Sequence, residues 1–356
     1  MTRNLAVIVA IVSAGVQAGA GMDIEVSQVF GPEEPGQYKH PAAITQLANG
    51  DLYLAYYGGS GEYGVDTKVY GARLAQGATE WTRPAVIADT PYRSEGNPVV
   101  WQAPDGAVWL FYVVRFGETW STSRIKAKVS HDGAKTWSDS IMVSLEPGMM
   151  VRCKPIALSD GDYLLPIYHE TGHDRERVGP DTTSLFLRFK PTPNGWEESS
   201  RIHSANGNLQ PAVVELDDAH LVCYCRRGGG YERDEKGYIV RAESHDGGRT
   251  WTEGRDTEFP NPNSAVDFLK LANGHLMLVY NHSMWRRSPL TVAVSADGDK
   301  TYPYRRNIMA GLGPFAYPYA IQTDDGRIHV IFTTNERTVI MHAAFDEEAI
   351  LISPDK

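Results

Sequence analysis

The chain has 356 residues, enough for one large domain or two ordinary ones. Its 34 Lys plus Arg against 44 Asp plus Glu give a formal charge of −10, which speaks against a protein that grips nucleic acid with a basic stripe. The 34 Gly and 21 Pro disfavour long helices, and 3 Cys with no Cys-x-x-Cys pair exclude a disulfide framework.

Residues 1–20 have the form of a secretory signal. Arg3 supplies the positive start, residues 5–16 are an apolar run, and Ala18-Gly19-Ala20 is a small-residue cleavage site. The run is shorter than the ~20 residues a membrane span needs. The expectation is therefore a secreted or periplasmic protein, with residues 21–356 as one mature domain. Asn281-His282-Ser283 matches a glycosylation sequon.

Residues 23–30 are expected to form a strand. Then a pattern of apolar strand, short turn and apolar strand repeats, with turns at Asn49-Gly50, Asp105-Gly106, Asp160-Gly161, Asp217-Asp218, Asn273-Gly274 and Asp325-Gly326. Their spacings are 56, 55, 57, 56 and 52 residues. Asn-Gly or Asp-Gly between β-rich runs signals a hairpin, with both turn residues at positive φ. A second marker keeps the same period. Ser244 to Trp251 is a full Ser-x-Asp-x-Gly-x-Thr-Trp, Ser130 to Trp137 has Ala134 at the Gly position, and Ser295 to Tyr302 carries Asp299 and Tyr302 as substitutions. Weaker relics end at Trp81 and Trp196. In such a box the Asp accepts backbone N–H bonds and the ring plugs a gap between sheets, so its role is structural. Two markers on one ~55-residue period indicate an all-β, six-bladed propeller with four-stranded antiparallel blades. The strand at 23–30 would close the ring against Val339-Ile340-Met341.

The start of each blade's innermost strand opens onto the central funnel. In chain order these starts carry Lys39 and His40, Asn97, Lys154, Gln210, Asn263 with Asp267 three residues after Ser264, and Tyr317. Pro follows His40, Asn97, Lys154, Gln210 and Tyr317. A proline at a strand start is tolerated and drives its predecessor extended, which explains the prolines but not their polar neighbours. Converging polar groups at one mouth are a binding-site signature. The loops that return to this mouth add Glu62 and Asp66, then Glu170, Arg226, Arg287 and Arg337. Arginine forks inside an acidic chain suit a carboxylate clamp, the alternative being surface pairing with nearby acids.

With its Asp boxes and six blades the chain resembles the sialidase (neuraminidase) superfamily, in its BNR-repeat, Asp-box branch. The resemblance implies that Arg226 and Arg287 match two arginines of the carboxylate triad and that Tyr317 matches the nucleophilic tyrosine. It places Asp66 like the acid/base aspartate, with Glu62 as rival. Two positions depart from the pattern. Lys39-His40-Pro41 stands where the family has Arg-Ile-Pro, and Gln210 stands where a glutamate activates the tyrosine. A phenol with a pKa near 10 needs a base to act as nucleophile, and Gln cannot serve. Asp267 or Glu170 would have to substitute, or Tyr317 does different work.

His169-Glu170-Thr171-Gly172-His173 matches His-Glu-x-x-His, but it follows a strand and contains Gly, whereas a zinc protease needs it on a helix. Cys223 and Cys225 should share one side of a strand, and pairing with Cys153 stays open.

The leading expectation is an exo-glycosidase that removes a terminal acidic sugar. Tyr317 with Asp66 or Glu62 would do the chemistry, and Lys39, Asn97, Lys154 and Asn263 would hold hydroxyls. The first alternative is a propeller polysaccharide lyase on a uronic acid, with His40 or Tyr317 moving the proton. The second is a non-catalytic glycan-binding propeller. The expected partner is an acidic oligosaccharide or glycoconjugate, with no cofactor, metal, nucleic acid or membrane, and with the protein a monomer.

Overall fold

Hairpin turns every ~55 residues leave room for one four-stranded meander per repeat, and six such sheets are formed. The computed structural model describes residues 23–175, 177–190 and 195–352, so the signal segment at 1–20 lies outside the described residues. Blade 1 has strands Tyr38–Gln46, Leu52–Gly59, Lys68–Leu74 and Ala85–Ala88. Blade 2 has Ser94–Gln102, Val108–Arg115, Ser123–Ser130 and Ile141–Met142. Blade 3 divides its inner strand into Met149–Val151 and Ile156–Ala157, followed by Tyr163–His169, Thr183–Phe189 and Glu197–Glu198. Blade 4 has Asn208–Asp217, His220–Arg227, Tyr238–Ser244 and Arg255–Pro260. Blade 5 has Asp267–Lys270, Leu276–Asn281, Leu290–Ser295 and Tyr304–Met309. Blade 6 joins Ala316–Gln322, Ile328–Thr334 and Val339–Phe345 to the N-terminal strand Glu25–Phe30. That last pairing runs from Glu25 opposite Ala344 to Phe30 opposite Ile340 and closes the ring as expected.

The turns differ in detail from the sequence expectation. Only the Gly of each Asx-Gly pair takes positive φ, for example 84° at Gly50 and 90° at Gly106. The Gly50 amide donates to the Leu47 carbonyl at 2.8 Å, a type I turn followed by one left-handed residue rather than two. In blade 4 that left-handed residue is Ala219, with φ of 65°.

The Asp boxes act as structural plugs. Asp246 accepts from Ser244 Oγ, Arg249 N and Thr250 N at 2.8, 3.0 and 2.9 Å. Its box ends in Trp251, whose ring stacks on Phe186 of blade 3 at 4.3 Å. The box aromatic thus fills the seam between neighbouring blades, where apolar burial holds the ring together. Cys153, Cys223 and Cys225 are free and buried, with the last two sulfurs 3.9 Å apart. The Asn281 side chain is buried and donates to the Pro289 and Phe315 carbonyls, which leaves the sequon no accessible acceptor. Among the described residues no helix is long and apolar enough to cross a membrane.

Candidate active site

The residues that open onto the funnel are turned inward by a repeated backbone irregularity. In blades 1, 2, 4 and 6 the register of the two inner strands shifts at the residue before proline. In blade 4, Leu209 pairs Arg226 and Ala212 pairs Tyr224, three residue steps facing two. A β-bulge of this kind re-aims a side chain. Asn97, Gln210 and Tyr317 adopt positive φ at these bulges, 44°, 55° and 56°, and Asn263 does so, at 55°, ahead of the inner strand of blade 5. Three of the four precede proline, so the extended backbone expected at these positions is overturned. Non-Gly residues in this region cost about 1–3 kcal/mol each and persist where the surroundings over-determine them. Four at one mouth mark it as a built site.

Tyr317 stands at the centre. Its hydroxyl accepts from Arg226 Nη1 at 2.8 Å and from Gln210 Nε2 at 3.4 Å. The guanidiniums of Arg287 and Arg152 lie over its ring, each 5.4 Å from the centroid. Burial by itself would raise the phenol, but Arg226, Arg287 and Arg337 outweigh it and hold Tyr317 below its ordinary value. The His40 ring crosses the Tyr317 ring at 77° with centroids 4.1 Å apart. His40 Nδ1 is 2.7 Å from Thr333 Oγ1, and that hydroxyl donates onward to the Ala316 carbonyl. The network therefore assigns the proton to Nδ1 and a lone pair to Nε2, which is buried without a partner. Burial, with Arg337 and Arg287, keeps this imidazole well below its usual range and so neutral.

Arg226 is buried, and every partner it has is neutral. Nε donates to Asn263 Oδ1 at 2.6 Å, Nη1 also to Gln210 Oε1 at 3.3 Å, and Nη2 to the Tyr231 hydroxyl at 3.2 Å. Asn263 is itself held by the Gly229 and Gly230 carbonyls, so it positions Arg226. Arg287 donates to the Asn263 carbonyl at 3.2 Å and lies over Tyr231 and Tyr317. Neither arginine pairs with a described carboxylate. Arg337 is different: it ion-pairs with Glu62 and donates to the Tyr38 hydroxyl at 2.9 Å.

The carboxylates sort clearly. Glu62 also accepts from Tyr38 and from Trp120 Nε1, at 3.0 and 3.1 Å, which commits it as a clamp. Asp66 is exposed, bonded to Ser60 N and Oγ, and absent from the pocket lining. Those Ser60 bonds hold its carboxyl below the usual range, so it does not serve as the expected acid. Glu170 lines the pocket with Tyr317 and Arg226. Burial pushes its carboxyl up to about 7, against the pull of Arg226 and with the help of Glu62. It is the one described pocket acid poised to carry a proton near neutrality. The neighbouring His169 faces Pro147 and Glu146 instead, and the His-Glu-x-x-His segment runs from a strand end into a loop, not along a helix.

Three further expectations are corrected. Lys39 is fully buried, and Nζ donates to the Glu34 and Gly36 carbonyls of its own loop, away from the phenol. Lys154 bonds both oxygens of Asp267 at 2.6–2.7 Å, and it lines the opposite mouth of the channel. Asp267, fully buried, also accepts from Ala320 N at 2.6 Å, so it is neither a base for Tyr317 nor a sugar contact. The reason lies in blade 3. Val151 pairs Ile167 and Ile156 pairs Leu164, five steps against three, and this longer break turns Arg152 rather than Lys154 beneath Tyr317. Arg152 escaped the sequence reading. So did Tyr168, whose hydroxyl accepts from Asn97 at 3.1 Å and from Gln210 at 3.4 Å and ties two mouth residues together. Lys154-Pro155 copies the repeat and hides the extra residues, whereas an inner strand unable to pair continuously is the signal that was there to find.

A family model described as BNR repeat-like domain matches residues 50–330. Among solved structures, the Hadza microbial sialidase Hz136 superposes with a TM-score of 0.73 at 17% identity, covering 88% of this chain and 67% of that one. The intramolecular trans-sialidase from Ruminococcus gnavus gives 0.74 at 13% identity, covering 92% and 99%. The α-L-arabinofuranosidase Arb93A from Fusarium graminearum gives 0.68 at 12%, covering 94% and 100%. At such identities the likeness is one of fold. No curated protein matches the chain by sequence.

Proposed function

The chain belongs to the BNR repeat-like domain family, and we propose that it is a glycoside hydrolase, acting outside the cytoplasm, that removes a terminal sugar bearing a carboxylate. The observation that carries this reading is the pair Arg226 and Arg287, one lining the Tyr317 pocket and the other lying over the Tyr317 and Tyr231 rings, whose hydrogen-bond partners are all neutral. Neither guanidinium hydrogen-bonds a described carboxylate, and a substrate carboxylate offers both of them charge-assisted bonds.

In this mechanism Tyr317 attacks the anomeric carbon as its phenolate, which the surrounding guanidiniums stabilise in place of a glutamate. The glycosidic C–O bond breaks, and the leaving oxygen takes the proton of Glu170. Water then attacks the glycosyl-tyrosine, giving a proton back to Glu170 and releasing the phenolate. A tyrosine nucleophile is the sialidase exception to the two-carboxylate rule. Asn97 and Gln210 face the same pocket and suit hydroxyl recognition. The R. gnavus neighbour was solved in complex with oseltamivir carboxylate, a ligand that bears a carboxylate.

One observation favours a second reading. Tyr317, held below its ordinary value beside the bare Nε2 of His40, also suits removal of the proton α to a uronic carboxylate, which is lyase chemistry. Incubation with oligosaccharides ending in sialic or uronic acid, read by product mass, separates the two. A hydrolase adds water across the product pair, and a lyase leaves an unsaturated sugar. Binding of such sugars with no turnover removes both enzyme readings.

A further inference from the structure

The geometry points to a zinc-type divalent cation site on blade 4, formed by His220 Nε2, His245 Nε2 and Glu243 Oε2, at the face of the ring away from the Tyr317 funnel. The three ligand atoms lie within 4.8 Å of one another. Glu243 Oε2 is 3.3 Å from His220 Nε2 and 3.4 Å from His245 Nε2. Zinc bonds to imidazole nitrogen and carboxylate oxygen at about 2.0–2.2 Å, which at a tetrahedral angle puts neighbouring ligand atoms about 3.3–3.5 Å apart. The spacing is therefore that of a preformed coordination edge.

Local structure supports this use of the residues. His220 opens the strand His220–Arg227, so it sits about 20 Å along that strand from Arg226. Glu243 lies on the next strand, opposite Val222, and His245 is the second residue of the Asp box. The two turns are already tied, because Gly247 N donates to the Ala219 carbonyl at 2.9 Å. The imidazole centroids are 4.4 Å apart, and both rings bring Nε2 to the same Glu243 oxygen. Arg241 takes the other oxygen of Glu243 and is itself neutralised by Asp299, which leaves Oε2 to the imidazoles. Asp217 Oδ1 stands 3.8 Å from His220 Nδ1 and adds negative charge beside the cluster. His245 is 65% exposed at its side chain, so a fourth position is open to water. Two imidazoles and one carboxylate suit zinc over calcium or magnesium, which prefer all-oxygen sets. A cation here clamps the Asp217–Ala219 turn to the Asp box and braces blade 4.

The test uses the full chain, stripped with a chelator and titrated with zinc chloride by calorimetry, alongside His220→Ala, His245→Ala and the control His173→Ala. Visible absorption of added cobalt reads the geometry. The expected result is one zinc per chain, affinity lower by at least about tenfold in both ligand variants and unchanged in the control. Zinc should raise the Tm of the wild type, and cobalt should give the intense bands of a tetrahedral site. Circular dichroism of His245→Ala, an exposed position, checks that folding is intact. No stoichiometric zinc, or zinc held equally well after His245→Ala, overturns the site.

Discussion

The Tyr317 hydroxyl and the Arg226 guanidinium meet at 2.8 Å, although 91 residues separate them in the chain. The contact replaces a base with a cation. Together with Arg287 and Arg337 it holds the phenol below its ordinary value, at a mouth where Gln210 offers no base.

Replacing Tyr317 by Phe removes the oxygen and keeps the ring that Arg152 and Arg287 cover. Turnover of the acidic substrate should fall by at least about a thousandfold, in line with loss of a nucleophile, while binding changes only a few-fold. Single-turnover kinetics with calorimetric binding measures both. Turnover within tenfold of wild type would remove Tyr317 from the chemistry.

Arg287→Met takes away a guanidinium that lies over the Tyr317 ring and donates only to the Asn263 carbonyl. A charge-assisted hydrogen bond contributes about 1.5–3 kcal/mol, so binding of a carboxylate-bearing sugar should weaken roughly 10- to 100-fold. The amide or ester of the same sugar should lose far less. Equal losses for both would show that Arg287 does not read the carboxylate.

Glu170 gives the pH dependence its direction. Its carboxyl sits at about 7 and must be protonated to act as the acid, so kcat/KM should fall as pH rises through that value. Glu170→Gln should abolish this limb together with most of the activity on sugars that have poor leaving groups. Stability follows the same group. A raised carboxyl stabilises the fold below its unfolded value of 4.5, and that contribution is lost as pH climbs towards 7. At pH 8 the Gln variant should be more stable than wild type by about 1–3 kcal/mol, measured by urea unfolding. Glu95, which burial also pushes up to about 7, provides the comparison. Glu95→Gln should flatten the stability profile in the same window and leave the activity limb in place.

Asp246 works in the opposite direction. Burial would raise its carboxyl, but the bonds from Thr250, Ser244 and Arg249 outweigh that and lower it to about 2. Its stabilisation is therefore present above pH ~4 and is lost as pH falls towards 2. Asp246→Asn should cost about 1–2 kcal/mol at neutral pH, a modest figure because solvent screens the group. The Tm difference from wild type should shrink on acidification. A difference that stays constant down to pH 2 would contradict the ionised box.

The fold was legible because each of its signals is local. The turn residues, the alternating strands and the Ser-x-Asp-x-Gly-x-Thr-Trp box are each confined to about ten residues or fewer, and their period counts the blades. The site was only partly legible. Gln210, Asn97, Tyr317, Arg226 and His40 were found from their place ahead of each inner strand or after its partner, and the structure brings them together at one mouth. Lys39, Lys154 and Asp267 carried the same signal and do other work. Asp66 and Glu170 both lay in mouth loops, and nothing local separated the solvated carboxylate from the desolvated one.

By itself the sequence determined a closed ring of six sheets and the mouth at which polar groups gather, since backbone pairing and turn chemistry are written in short segments. Only the tertiary structure decided which of those groups meet. A two-residue excess in one inner strand replaced Lys154 with Arg152 under Tyr317. Burial then separated Glu170 from Asp66. Register and desolvation depend on what packs alongside from other blades, and that is a property of the assembled ring.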